Sequence, residues 1–291
     1  MKIPDQVRKC VVFLGYHKDG RTKWCGTGFF LAVCLPTRDN RPYSYLVTAR
    51  HVIDKICEVS SAGEVHLRLN LHSGGSKQIS VGLDEWRFHP TKEVDVAAIP
   101  FSEAWFDDMD HLTVIPNMVA DDAFVKGSAL GPGDDVFVTG LFASHHGADR
   151  NIPIIRVGNI AAMPEEPMRM RLDSATVITA DAYLIESRSI GGLSGSPVFV
   201  YMAGTNRGLG AYSQIYLLGL IHGHWDAAEP ITDGEDLDEE LRSSVNMGIA
   251  IAVPASAILG TLEHPEFVAH REQLARQLDA EDLPTQDAHA S

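Results

Sequence analysis

The chain has 291 residues, 45% of them hydrophobic and 22% charged, with a formal net charge of −15. That is room for one large domain or two small ones. The acidic balance argues against a nucleic-acid partner, because phosphate binding draws on Lys and Arg, and no apolar run is long enough to span a membrane as a helix. The first ten residues are mostly polar, and Val11 to Leu14 is too short for the apolar core of a signal peptide. A cytoplasmic protein with no membrane contact is the expectation. The four cysteines, Cys10, Cys25, Cys34 and Cys57, show no C-x-x-C spacing. They are expected to be thiols rather than zinc ligands.

In chain order, Val11–Leu14 is a short run of strand type, followed by the turn Lys18-Asp19-Gly20. Cys25–Val33 is a second run, glycine-rich at its start, and Tyr43–Ala49 is a third that delivers Arg50-His51-Val52-Ile53-Asp54. From Glu64 to Leu71, Val65, Leu67, Leu69 and Leu71 alternate with polar residues, the mark of a sheet with one buried face. Short runs follow at Gln78–Leu83, Glu85–Phe88 and Val94–Pro100. Ser102–Leu112 and Ala120–Lys126 read as irregular connection with room for a helical turn. Leu130 to Gly140 is a turn feeding a strand, and later runs lie at Ile154–Ala162, Ala182–Glu186, Pro197–Tyr201, Ile215–Ile221 and Met247–Val253. Strands and turns at this spacing predict an all-β barrel or sandwich. After Pro254, Ala255–Leu262 and Glu266–Leu278 look helical, with a polar tail from Asp279. Between two strands, Asp226 to Glu240 carries eight acids and no Lys or Arg. That segment is either a solvated loop or an electrostatic lure for a basic substrate or partner.

The stretch Gly191-Gly192-Leu193-Ser194-Gly195-Ser196-Pro197-Val198 carries the chemistry. Glycines let the backbone turn tightly with its N–H groups aimed at a bound group, and a serine there supplies a nucleophile beside oxyanion donors. A Gly/Ser-rich surface turn is the plain alternative. A serine hydroxyl needs a histidine to take its proton and a carboxylate to hold that histidine. His51 ends a strand-like run. Asp95 lies in the apolar run Val94-Asp95-Val96-Ala97-Ala98-Ile99, where a lone carboxylate is costly unless paired; an edge-strand or turn aspartate is the alternative.

The order His51, Asp95, Ser194 is not that of α/β-hydrolases, and Ser196 stands where their elbow needs glycine. The chain resembles the trypsin-like (chymotrypsin-fold) serine peptidases, especially the bacterial and intracellular branch. The resemblance rests on Cys25-Gly26-Thr27-Gly28-Phe29, Val47-Thr48-Ala49-Arg50-His51-Val52, Val94-Asp95-Val96-Ala97, Gly133-Asp134-Asp135-Val136, Gly192–Val198, Leu218-Gly219-Leu220-Ile221 and Asn246-Met247-Gly248-Ile249-Ala250. It spans roughly residues 8 to 254. It implies two six-stranded antiparallel β-barrels, here 8–118 and 119–254, with the site in the cleft between them and a C-terminal helix and flexible tail over 255–291. It implies Ser194 as nucleophile, His51 as base and acid, Asp95 as its orienter, and the N–H groups of Gly192 and Ser194 as the oxyanion hole. No cofactor or metal is called for.

The chain departs from the family in several places. Val52 stands where secreted members carry a paired cysteine after the histidine. Leu193 stands where many zymogens use an aspartate, so activity without cleavage is expected, with any regulation left to a partner protein, the acidic loop or the C-terminal helix. Arg188, six before the serine, falls where the resemblance places the floor of the primary pocket. It would favour an acidic side chain unless Glu186 neutralises it. Ser189, His222, Gly223 and His224 complete the expected substrate-binding set, His222 narrowing the pocket mouth. His222 and His224 on one strand face are a weak candidate for a metal pair. The expected function is a serine endopeptidase acting on a protein or peptide substrate. A catalytically silent fold that binds a peptide in the same cleft, and a hydrolase of small esters, are the alternatives.

Overall fold

In the computed structural model, which describes residues 2–37, 39–60, 62–101, 108–171, 176–187, 192–202, 214–227 and 245–281, antiparallel strands carry both halves. The first half holds β1 (Val11–Lys18), β2 (Arg21–Cys34), β3 (Pro42–Thr48), β4 (Glu64–Asn70), β5 (Ser76–Gly82), β6 (Arg87–Phe88) and β7 (Ala97–Pro100). They form one sheet in the order β5-β4-β1-β2-β3-β7-β6. The alternation in β4 is that of its burial, with Val65, Leu67 and Leu69 at or near complete burial against the core.

This half is not the closed barrel that the sequence reading expects. It is a seven-stranded sheet whose edges, β5 and β6, do not pair. The turn Leu83–Glu85 joins them directly, and β6 has two residues, too few to carry a ladder across the gap. The second half does close. Strands β8 (Asp135–Gly140), β9 (Ile154–Ala162), β12 (Tyr183–Glu186), β13 (Pro197–Met202), β14 (Gln214–Ala227) and β15 (Val245–Pro254) make a six-stranded barrel in the order β12-β15-β14-β13-β8-β9. A separate ribbon, β10 (Met168–Arg171) with β11 (Val177–Ala180), was not anticipated from the sequence.

One helix was not expected from the sequence, and a second falls where the sequence leaves room for a helical turn. Arg50–Val59 is a helix, α1, which buries Val52, Ile53 and Ile56. A second short helix, α2 (Asp122–Gly127), is capped by Asp121, whose side chain accepts from the Phe124 N–H. The C-terminal segment is two helices, α3 (Ala255–Leu262) and α4 (Pro265–Glu281). Helix α3 lies against β14 and β15 of the barrel as well as β7 of the first half, and α4 packs back on the first half. The Phe267 ring packs tilted against Tyr45, with centroids 5.0 Å apart. Buried Arg271 donates to the Tyr45 hydroxyl at 3.1 Å and to the Leu262 carbonyl at 2.5 Å, so its charge caps the end of α3. Ala255, Ile258, Leu262 and Phe267 belong to one apolar core with Phe30, Tyr45 and Leu46 of the first sheet and Phe137, Phe199 and Leu217 of the barrel.

Polar ties also join the halves. Arg68 donates to the carbonyls of Gly147 and Ala148 at 2.9 and 2.7 Å. Asn70 and Asn151 exchange hydrogen bonds, Asn151 N–H to Asn70 Oδ1 at 2.7 Å and Asn70 Nδ2 to the Asn151 carbonyl at 3.1 Å. All four cysteines are free. Burial pushes the Cys10 thiol up to about 12 and the Cys25 thiol up to about 11, which keeps both protonated and unreactive. No helix among the described residues is long and apolar enough to cross a membrane.

Candidate active site

His51 enters the site on the first turn of α1. That turn leaves backbone N–H groups without intrahelical partners, and Ala49, at the cap position, has no side chain to satisfy them. Asp95 does so instead. It sits in the turn before β7, and its Oδ1 accepts the His51 N–H at 2.8 Å. Its Oδ2 lies 2.7 Å from His51 Nδ1. One carboxylate therefore fixes both the backbone and the ring of His51. Asp95 is 1% exposed. Burial alone would push its carboxyl up, but the charge of His51 and hydrogen bonds from His222 and His51 hold it well below the usual carboxylate range.

The serine turn is pinned to the first half by Thr27 of β2. The Thr27 N–H donates to the Ser194 carbonyl at 3.0 Å, and its hydroxyl donates to the Gly192 carbonyl at 2.8 Å while accepting the Leu141 N–H at 2.9 Å. Thr48 in turn donates to the Thr27 carbonyl at 2.7 Å. Gly192 and Gly195 have φ of 100° and 80°, where side chains are strained. A Cβ on Gly195 would lie 2.2 Å from the Thr27 carbonyl oxygen and 2.3 Å from Thr48 Oγ1. The glycine is thus what lets the turn sit against the strand ends that flank His51. Among the described residues the N–H groups of Gly192 and Ser194 donate no hydrogen bond, so both are available to a bound oxygen.

Ser194 Oγ donates to the carbonyl of His222 at a long 3.4 Å. Among the described residues it makes no hydrogen bond to His51. His222 was expected in the wall of a substrate pocket. It is buried instead, and its Nδ1 lies 2.6 Å from Asp95 Oδ2, the oxygen His51 also faces. The two imidazole centroids are 5.5 Å apart, edge to face. The cause is a bulge: Ile221 pairs with Ala252 and Gly223 with Ile251, leaving His222 as the extra residue of β14. Period-two reasoning fails across a bulge. His222 turns inward while His224 is exposed, so the two do not make the metal pair weighed from the sequence. His51, Asp95 and His222 do bring three ligand-type atoms within 4.8 Å of one another. Both nitrogens, however, sit at hydrogen-bond distance from one oxygen, closer than the roughly 3.3 Å that separates ligands around a tetrahedral zinc.

Gly223 is half-buried, with nothing within 4 Å of where a Cβ would stand. Arg188 and Ser189 lie outside the described residues, as do residues 228–240 of the acidic segment. Thr27, a hydroxyl between two strand glycines, was not singled out for a role of its own, and its signal is weak. His222 was singled out for the pocket wall, and its contact with Asp95 carries no sequence signal because only the bulge turns it inward.

No family model matches the chain, and no curated protein matches it in sequence. Among solved structures, the chain is similar to the active form of the Rv3671c protease from M. tuberculosis, at 17% identity and a TM-score of 0.46, covering 88% of this chain and 80% of that one. The inactive form of the same protease is similar at 17% identity and a TM-score of 0.42, with 88% of each chain covered.

Proposed function

We propose that the protein is a serine endopeptidase that hydrolyses peptide bonds of a protein substrate, working inside the cell without a metal or cofactor. The observation that carries this reading is the arrangement at the seam of the two halves: a buried carboxylate bonded to Nδ1 of His51, beside a glycine turn that presents Ser194 with two backbone N–H groups unpaired among the described residues. With Nδ1 held by Asp95, the His51 ring has Nε2 left to act. Ser194 Oγ attacks the scissile carbonyl carbon as its proton passes to Nε2. The carbonyl oxygen takes the negative charge and is met by the N–H groups of Gly192 and Ser194, each such donor contributing about 3 kcal/mol to the transition state. Collapse of the adduct breaks the C–N bond, and the amine leaves with the proton from His51. Water then repeats the sequence on the acyl-enzyme and frees Ser194. The four free thiols suit a reducing compartment.

A second reading, a catalytically silent module that binds a peptide in the same cleft, is favoured by one observation. The Ser194 hydroxyl is turned to the His222 carbonyl rather than to His51. Catalytic hydrogen bonds are often long before substrate binds, so this orientation alone does not choose between the two readings. A library of peptides and matched small esters tests them. Cleavage of peptides by wild type and none by Ser194→Ala supports the endopeptidase. Turnover of esters alone supports a small-molecule esterase, and binding without turnover supports the silent module. The same library would read the preference at the primary pocket, where Arg188, Ser189, Gly223 and His224 are proposed to line the wall. A regulatory partner protein remains part of the proposal, with the acidic segment as its contact.

A further inference from the structure

The proposed reaction uses one imidazole, but Asp95 holds two. His222 Nδ1 and His51 Nδ1 stand 2.6 and 2.7 Å from the same carboxylate oxygen. An oxygen that accepts from both requires a proton on each Nδ1. The His222 side chain is 3% exposed, so it does not meet substrate. Its backbone carbonyl is the acceptor for Ser194 Oγ. One bulge residue thus touches the acid through its ring and the nucleophile through its backbone.

We propose, resting on the hydrolytic reading above, that His222 is a positioning residue of the same site. Its Nδ1–H fixes the Asp95 carboxylate in line with His51 and draws off part of the carboxylate's charge, and so sets how strongly His51 holds a proton. A carboxylate stripped of one donor concentrates its charge on the other, so removing the His222 donor makes His51 more basic. The remaining charged groups nearby do not change with residue 222. Arg50 and Asp54 of α1 pair with each other at 3.2 Å. On another side of Asp95, a cavity of about 420 Å³ is lined by His89, Glu93 and Asp181, from the turns before β7 and β12. The second imidazole of the strand, His224, is exposed where His222 is buried.

The full chain labelled with 15N-histidine tests this by NMR, which reads the tautomer of His222 and the titration of His51 without any turnover. Three proteins are compared: wild type, His222→Leu, which keeps bulk and removes the donor, and His222→Asn, whose Nδ2 stands where Nδ1 stood. In wild type His222 carries its proton on Nδ1. In His222→Leu the His51 midpoint rises by about one pH unit, the acid limb of Ser194 reactivity moves up with it, and the rate on that limb falls up to about 10-fold. His222→Asn restores most of both. A wild-type His222 protonated only on Nε2 overturns the proposal, and this result needs no variant to fold. A folded His222→Leu with an unmoved His51 titration also overturns it. If the NMR behaves as stated but no form of the protein turns over substrate or reacts at Ser194, the hydrolytic reading fails and the role of His222 on Asp95 stands.

Discussion

Replacing Thr27 by valine keeps its shape and removes one hydroxyl, and the structure sets what that hydroxyl holds. It accepts the N–H of Leu141, a residue with no exposed surface, and donates to the carbonyl of Gly192. A buried donor left without an acceptor costs about 1–3 kcal/mol. The Gly192 carbonyl is in a half-buried residue and can turn toward water, which adds less. A total near 2–3 kcal/mol lowers the melting temperature by roughly 4–12 °C for a protein of this size. The turn also loses one of its two hydrogen bonds to Thr27, so the backbone at Gly192 is held less firmly and its N–H is aimed less well. Misaiming an oxyanion donor falls short of deleting it, so a rate loss of about 10- to 100-fold is expected, against up to 10³-fold for outright removal. Thermal melts and the rate of Ser194 phosphonylation by a fluorophosphonate read the two effects separately. Thr27→Ser, which keeps the hydroxyl, should recover most of the rate. A Thr27→Val protein that melts with wild type and reacts at the wild-type rate would refute the reasoning.

Other expectations follow from the same geometry. Ser196 Oγ is buried with no hydrogen-bond partner among the described residues, so Ser196→Ala should keep full reactivity and gain about 1 kcal/mol in chemical denaturation. Gly195→Ala places a methyl group 2.2 Å from backbone oxygen at a φ of 80° and should cost about 3 kcal/mol or more with loss of Ser194 reactivity; a stable, reactive variant would show that the turn can move. The Asp95 carboxyl is held low in the folded state, so below about pH 4 the unfolded chain binds the extra proton first. The stability that Asp95 contributes is present above that pH and lost as pH falls toward its folded value. Denaturation at pH 3 and pH 6 should show an acid loss that shrinks in Asp95→Asn.

The strands were legible where one sheet face is buried, as in the alternation of Val65, Leu67 and Leu69. Asp95 could be singled out because a carboxylate in an apolar run demands a partner, and the partner it has lies 44 residues earlier on His51. The same pairing explains why α1 was missed. A helix beginning Ala49-Arg50-His51 has no capping side chain of its own, and the acceptor for its first turn comes from Asp95. His222 was placed in the pocket wall by the family resemblance and paired with His224 by strand alternation, and both readings pass over a bulge that only the pairing of β14 with β15 discloses. The openness of the first sheet depends on how few residues β6 contributes. The docking of α3 and α4 on Tyr45 depends on apolar faces whose partner lies more than 200 residues away, a distance at which pattern carries no information.

The most direct measurement is covalent labelling with a fluorophosphonate, with the modified residue identified by mass spectrometry. The account predicts one label, on Ser194, formed by wild type and by Ser196→Ala, and lost in Ser194→Ala and in a folded His51→Ala. An unlabelled wild type, or labelling that persists without the His51 imidazole, would contradict it.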